Sequence, residues 1–518
     1  MRLPLRYLPL PLMFLLASVG VFGAEPASRP RRPNIIFIMT DDHANSAISA
    51  YGSKLIQTPN IDRLAREGLR FDNAFCTNSI CGPSRAVILT GKYSHVNGFM
   101  MNETNTFDGR QMTFPKLFQA AGYQTAVIGK WHLESDPTGF DYWNILIGQG
   151  QYFDAPFNCM GTTTVHPGYV TDVTSQMTID WLRHRPNPDQ PFVLLTQHKA
   201  PHANFHPPPR YEHTFDAVTF PEPPTLFDDY ATRSPAARTN NMRIDPHLAL
   251  QFVSNGADRL QVPAGLEGRD RTRWLYQFYL RNYLGCVLAV DDAVGDLLAT
   301  LDELGLTENT IVVYTSDQGF YLGEHGWYDK RFMYEESLRN PLIVRYPPSI
   351  APGGVEKRMV LNLDYAQTFL DYAGIPAPAD MQGRSLRPLL DGKAVADWRQ
   401  SIYYHYYEYP GWHYVPRHYG VRTERYKLIH FYHDIDAWEL YDLKADPHEL
   451  NNLYGEAAYA GVQSELQSEL KRLQDQYGDS PELARETIQR YPHGSRPPWG
   501  RAENLPEWQA RKGGSPRP

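Results

Sequence analysis

Pro33-Asn34-Ile35-Ile36-Phe37-Ile38-Met39-Thr40-Asp41-Asp42 joins an unbroken apolar run of strand length to a polar stop that ends in two acids. A strand with one wet face alternates apolar and polar residues. A run that is apolar at every position reads as a strand buried on both faces, as in a parallel sheet covered by helices. The same texture recurs downstream. Thr58 to Gly68 reads as a short helix with Thr58 as N-cap, Pro59 at the first helical position and Gly68 at the end. Helical stretches at Phe114 to Gly122, Val170 to Arg183 and roughly Trp274 to Gly305 precede strand-like runs at Gln124 to Gly129, Pro191 to Thr196 and Ile311 to Thr315. Strands alternating with helices predict a large α/β domain on a central, mostly parallel sheet flanked by helices, with ligands beyond the carboxyl ends of the strands.

From about Tyr403 the texture changes to short aromatic and β-branched runs: Tyr403 to Tyr407, Tyr419 to Arg422, Tyr426 to Ile429 and Trp438 to Tyr441. One helix follows, near Val462 to Tyr477. These predict a small C-terminal subdomain with an antiparallel sheet and a helix. The expected organisation is a main domain over 33–395, the subdomain over 396–477 and a loosely held polar tail, rich in Pro and Gly, over 478–518.

The amino terminus places Arg2 and Arg6 before an apolar run that ends in the small residues Gly23 and Ala24, a signal-peptide layout over 1–23 or 1–24. No later segment is apolar for long enough to cross a bilayer, so the expectation is an exported protein, periplasmic or extracellular, with no stable membrane span. The net charge of −8 becomes −10 once residues 1–23, with two arginines and no acid, are set aside. Nucleic acid is therefore not an expected partner, and any grip on an anion must come from a local cluster of cations. Four cysteines are too few to staple 518 residues and lack zinc-ligand spacing. Export permits disulfides, and the pairing of Cys76, Cys159 and Cys286 stays open, with buried free thiols the plainer reading for most of them.

Asp41-Asp42, at the end of a buried strand, suits either the capping of the next helix or coordination of a hard cation. Asp317-Gln318-Gly319 also follows a buried strand. Two strand ends of a parallel sheet can bring three carboxylates and an amide oxygen to one point, an all-oxygen set suited to Ca²⁺, and less well to Mg²⁺, rather than to zinc. The segment Cys81-Gly82-Pro83-Ser84-Arg85-Ala86-Val87-Ile88-Leu89-Thr90-Gly91 places a cysteine before a Pro-initiated helix. There the helix N-terminus would stabilise an anion and lower the thiol's pKa; the plainer reading is a buried thiol at a helix start.

That segment resembles the maturation signature of the formylglycine-dependent (type I) sulfatases, Cys-x-Pro-Ser-Arg followed by Leu-Thr-Gly, and every specified position matches. The resemblance covers most of residues 33 to 455. It takes in the run from Pro33 to Asp42, Gly129-Lys130-Trp131-His132, Ala200-Pro201-His202, Ser316-Asp317-Gln318-Gly319, Lys330 to Glu336, and Glu439-Leu440-Tyr441-Asp442-Leu443 before Asp446-Pro447. It implies the alkaline-phosphatase superfamily fold and hydrolysis of sulfate esters.

Carried over position by position, the resemblance implies that a formylglycine-forming maturation enzyme converts Cys81 to formylglycine (3-oxoalanine), whose aldehyde hydrates to a geminal diol. One hydroxyl, ionised with help from the metal and Arg85, attacks sulfur while the ester oxygen departs. Deprotonation of the second then expels sulfate and regenerates the aldehyde. Asp41, Asp42, Asp317 and Gln318, with the formylglycine oxygen at position 81, are the implied Ca²⁺ ligands; many family members have Asn where Gln318 stands. Lys130 and Lys330 are implied to hold the sulfate oxygens and His132 to contact the diol as a base. His202, helped by Lys330, is the candidate acid for the leaving oxygen, with His198 and Lys199 as rivals in the same turn.

The expected substrate is a sulfated carbohydrate. His405 to His418 is packed with aromatics, His and Arg that suit sugar faces and hydroxyls, and His413, Arg417 and His418 are its candidate contacts. The same aromatics equally suit gluing the subdomain to the main sheet. Ser316 to Trp327 together with His405 to His418 resembles bacterial sulfatases acting on 6-O-sulfated N-acetylglucosamine; galactose sulfates and glucosamine N-sulfate are the alternatives. A phosphatase or phosphodiesterase of the same superfamily would not require the signature at Cys81. A catalytically silent glycan-binding protein would show degraded metal or nucleophile positions, and none of those expected is degraded.

Overall fold

The computed structural model describes residues 32–102, 106–254 and 260–490, besides Met1. Apart from Met1, the expected signal peptide lies outside the described residues, as does the expected tail from 491 onward. Among the described residues no helix is long and apolar enough to cross a membrane.

Strand Asn34–Asp41 is buried at every residue and sits inside a ten-stranded sheet. Its apolar side chains go alternately to two layers: Ile35, Phe37 and Met39 join one core cluster, Ile36 and Ile38 the other. That two-sided burial is why the run shows no polar alternation. Helices Phe114–Ala120 and Tyr365–Ala373 cover the first face. The second is covered by Pro59–Glu67, Val170–His184 and the 36-residue helix Gly268–Glu303.

The sheet order is Gly354–Glu356, Leu69–Phe71, Leu342–Arg345, Thr310–Ser316, Asn34–Asp41, Phe192–Pro201, Gln124–Lys130, Tyr142–Leu146, Pro156–Cys159 and Thr162–Val165. The five strands from Thr310–Ser316 to Tyr142–Leu146 run parallel, with Asn34 opposite Thr310 and Ile35 opposite Val193. Their carboxyl ends therefore share one rim. The pairs of Leu342–Arg345 with its neighbours and the 156–165 hairpin are antiparallel additions that the alternation of strands and helices does not announce.

A four-stranded antiparallel meander follows, built from Ser401–Tyr406, His418–Thr423, Tyr426–Phe431 and Ala437–Asp442. Helix Ala460–Tyr477 lays Leu466, Leu470 and Leu473 on it, the i, i+4, i+7 stripe of an amphipathic helix. Tyr403, Tyr404 and Tyr406 share one core cluster with Phe75, Trp327, Phe332 and Tyr334 of the main domain, so these aromatics glue the subdomain down.

The chain does not loosen at Gly478 as expected. Asp479 is buried and accepts from the Tyr403 hydroxyl at 2.8 Å, and helix Pro481–Arg490 packs through Ala484. All four cysteines carry free thiols.

Candidate active site

Four neighbouring strand ends deliver the site. Asn34–Asp41 ends in Asp41, and Asp42 turns the chain away with φ of 70°, a left-handed conformation that Asp tolerates. Thr310–Ser316 is followed by Asp317 and Gln318, Gln124–Lys130 ends in Lys130, and Phe192–Pro201 leads to His202. Helix Cys81–Thr90, buried along its whole length, presents Cys81 and Arg85 one turn apart on one face.

Carboxylate oxygens of Asp41, Asp42 and Asp317 lie within 4.8 Å of one another, all fully buried. Asp41 Oδ1 and Gln318 Oε1 are buried without a hydrogen-bond partner among the described residues, while Gln318 Nε2 donates to Asp42 Oδ1 at 2.5 Å. Three buried carboxylates with two orphaned oxygens fit a hard cation, so the donor set passes on chemistry as well as position. Burial and the neighbouring acids push Asp42 up to about 8, although Lys330 opposes them, and burial and Asp41 push Asp317 up to about 6. Burial opposes ionisation of Asp41 as well, but Lys130, His202 and Arg85 hold it well below the usual carboxylate range.

The cations interleave with these acids. Arg85 donates to Asp317 Oδ2 through Nε at 3.2 Å and an NH₂ group at 2.9 Å, and its other arm reaches the Lys130 carbonyl at 2.6 Å and Gln197 Oε1 at 3.1 Å. Lys130 Nζ bonds Asp41 Oδ2 and, at 2.5 Å, Gln149 Oε1. Lys330 Nζ bonds both oxygens of Asp42.

Burial, with Asp41 second, pushes the Cys81 thiol far up. Burial therefore favours the plainer of the two readings, a buried thiol at a helix start, over a thiol acidified by the helix N-terminus. An unmodified thiol here stays protonated.

His132 and His202 both titrate well below the usual imidazole range, through burial and then Lys130. His202 Nδ1 lies 2.7 Å from the Ala203 carbonyl, which fixes Nδ1 as the donor and leaves Nε2, 3.7 Å from Asp42 Oδ2, facing the site. Strand alternation separates the two rivals. His198 points to the helix face near Asp172, while Lys199 faces the site and donates to the carbonyls of Gln149 and Ala203 at 3.0 and 3.1 Å. Burial and then Lys130 bring Lys199 down to about 7.

Cys81 lines a cavity of about 780 Å³. Its walls include His132, His202, Lys330 and His413, and they add residues the sequence did not single out: Asn102, Gln149, Asp329, Arg331, Glu408 and Trp412. Arg331 donates to Asp329 at 3.0 Å and to Glu408 at 2.9 Å, and His413 Nε2 lies 3.2 Å from Asp329.

Arg417 and His418, expected as sugar contacts, are corrected. Arg417 is 3% exposed and spends its guanidinium on Asp434 and the carbonyls of Tyr407 and Tyr409. His418 is fully buried among Phe332, Tyr404, Tyr406 and Phe431, and burial takes it down to about 3. The signal that could have shown this is their place at the start of a meander strand, in the core-facing aromatic stack.

Residues 33–375 match the sulfatase family model, and residues 323–476 match that of the C-terminal region of N-sulphoglucosamine sulphohydrolase. The chain is 49% identical over 522 residues to an N-acetylglucosamine-6-O-sulfatase of Bacteroides thetaiotaomicron, with 93% of each chain covered. It is 30% identical over 435 residues to human N-acetylglucosamine-6-sulfatase, covering 77% of this chain and 72% of that one. A solved structure of a protein in complex with its substrate D-glucosamine-2-N,6-O-disulfate superposes with a TM-score of 0.84 at 50% identity, covering 88% of this chain and 99% of that chain. The family is generally metal-dependent, in keeping with the acidic cluster at the strand ends. Matched across two thirds of its length by the family model and by a close relative over nearly all of it, the chain belongs to the sulfatases of the alkaline-phosphatase superfamily and is a sulfuric ester hydrolase.

Proposed function

We propose that this sulfatase removes the 6-O-sulfate of N-acetylglucosamine in glycans, with formylglycine made from Cys81 by a maturation enzyme and with Ca²⁺ held by Asp41, Asp42, Asp317 and Gln318. The observation that carries this reading is the cavity itself: it is lined by Cys81, His132, His202, Lys199 and Lys330, and by a polar Asp329–Arg331–Glu408 cluster together with Trp412 and His413. A sugar needs both elements, an apolar ring face and convergent donors and acceptors for its hydroxyls. The names of the two enzyme relatives support the choice of sugar and position.

Formylglycine, once hydrated, supplies the nucleophile, and the cation supplies positive charge at the reacting oxygen. The chain does the rest. Lys130 and Lys330, whose charges both bear on position 81, hold the sulfate oxygens and meet the charge that develops on them. Arg85, locked by four hydrogen bonds, keeps the guanidinium charge one helical turn from position 81. His132 takes the proton whose loss lets sulfate go. His202 keeps its Nδ1 proton on the Ala203 carbonyl, so it acts as the acid only once a second proton is on Nε2, a state the bound sulfate anion favours; Nε2 then hands that proton to the sugar oxygen, because a sugar alkoxide is a poor leaving group. His413 faces the sugar from the subdomain side. The signal-peptide layout supports export, to the periplasm or beyond, where sulfated glycans are met.

The test is sulfate release from a panel of defined sugar sulfates, preceded by peptide mass analysis of position 81. N-acetylglucosamine 6-sulfate should be turned over fastest. Faster release from a galactose sulfate or from glucosamine N-sulfate would replace the substrate, and full activity of Cys81→Ala would sink the mechanism.

A further inference from the structure

The helix that carries Cys81 is braced at its start by Asn102, another residue of the cavity lining. Gly82 is its second residue, so the Gly82 N–H has no partner within the helix. It donates instead to Asn102 Oδ1 at 3.0 Å. The fit is close: a Cβ on Gly82 would stand 2.5 Å from the Phe99 ring, 2.7 Å from Asn102 Oδ1 and 3.0 Å from the His132 carbonyl. Asn102 is itself held from behind, because its own backbone N–H donates to Glu408 Oε2 at 2.9 Å. The other oxygen of Glu408 accepts from Arg331 at 2.9 Å. Asn102, Glu408 and Arg331 all line the cavity that contains Cys81.

We propose that Asn102 is a positioning residue that links the Arg331–Glu408 wall of the cavity to the reactive group at position 81. The Gly82 nitrogen is bonded to the Cys81 carbonyl carbon, so the Asn102 hydrogen bond fixes the plane of the Cys81–Gly82 peptide. That plane sets the direction in which the side chain at 81 leaves the backbone. Misplacing a reacting group by a fraction of a bond length costs rate far more than binding. Glu408 then serves two tasks: it aligns Arg331 toward the bound sugar and holds the backbone of Asn102. A ligand that engages Arg331 thereby acts on the same carboxylate that steadies the helix start.

The inference rests on position 81 carrying the reactive group, which Cys81→Ala tests separately. The experiment compares Asn102→Ala, Asn102→Asp, Glu408→Gln and the double variant Asn102→Ala/Glu408→Gln, on whichever sugar sulfate the wild type hydrolyses fastest. Asn102→Ala should lower kcat by about tenfold to a hundredfold, the worth of one part-buried hydrogen bond expressed in the transition state. Its KM should stay within about twofold of wild type. Aldehyde content at position 81, read by peptide mass, and Tm should match wild type. Asn102→Asp keeps an acceptor of the same length and should return kcat to within about threefold, with its added charge felt in KM. Glu408→Gln should lower kcat in the wild-type background but add no further kcat loss to Asn102→Ala, its remaining effect falling on KM through Arg331. Three results would overturn the inference: wild-type kcat in Asn102→Ala, kcat losses that multiply in the double variant, or a loss in Asn102→Ala matched by falling Tm or aldehyde content.

Discussion

Lys330 holds both carboxylate oxygens of Asp42, at 2.6 and 2.7 Å, although the lysine is assigned to sulfate and the aspartate to the cation. Both are almost fully buried, at 2% and 1% exposure. Lys330 opposes the burial that pushes Asp42 up, so the site's stability and chemistry share the same atoms.

Replacing Lys330 with Met should lower sulfate release by at least about a hundredfold, because a fixed charge on the sulfate is lost. It should also lower unfolding free energy by about 3–5 kcal/mol, since Asp42 is left buried and unpaired. Adding Asp42→Asn should restore stability without restoring activity. Denaturant unfolding alongside a sulfate assay separates the two effects; a Lys330→Met protein as stable as wild type would show that Asp42 does not depend on it.

Removal of divalent cations by chelation should abolish most activity, with Ca²⁺ restoring it best. The second readout is thermal: at a hundred times its Kd, Ca²⁺ should stabilise the fold by about 2.7 kcal/mol. Asp317→Asn should lose that increment, because it removes one of three carboxylates gathered within 4.8 Å. Restoration by Zn²⁺ alone would contradict an all-oxygen site.

Arg417→Ala should separate packing from catalysis. Its guanidinium ties Asp434 to the carbonyls of Tyr407 and Tyr409, so truncation should cost about 2–4 kcal/mol of stability through stranded acceptors. kcat/KM per folded molecule should stay near wild type. His413 is also buried and lies beside Asp329, and His413→Ala should instead lower kcat/KM per folded molecule whatever it costs in Tm. A collapse of kcat/KM in folded Arg417→Ala would return that residue to the substrate.

The parts of this molecule legible in its sequence are those where one local pattern has one physical outcome. Ile35 to Met39 is apolar at every position because alternate side chains enter two core layers. Cys81 and Arg85 stand four apart, so a helix must put them on one face. The 198/199 question was also answerable, since neighbours on a strand face opposite sides. Other features depend on tertiary placement. Asn102 and Glu408 are 306 positions apart, and nothing local marks their contact. Gln149 reaches Lys130 from a loop. Hairpin strands Pro156–Cys159 and Thr162–Val165 are short and half exposed, too weak a pattern to announce two antiparallel strands. Arg417 and His418 misled because density of aromatics, His and Arg is the same signal for a sugar wall and for a core.

Asp479 anchors the chain where it was expected to loosen. Its Oδ2 accepts from Tyr403 at 2.8 Å and lies 2.7 Å from His405 Nδ1, with His95 Nδ1 at 3.6 Å. Burial opposes its ionisation, but His405, the Tyr403 hydroxyl and His95 together hold the carboxyl well below the usual range. A carboxylate depressed in the folded state contributes stability above its unfolded value, near 4, and loses that contribution as pH falls through the folded value. Asp479→Asn lacks the contribution altogether. Wild type should exceed the variant by about 2 kcal/mol at pH 7, and the gap should close progressively below about pH 4. Helix Pro481–Arg490 follows directly, so backbone amides there should exchange faster in the variant at neutral pH. Urea unfolding of both proteins at pH 7, 5 and 3.5 reads the trend. A gap that widens toward acid would mean that Asp479 is held protonated, and that the anchor works through its hydrogen bonds alone.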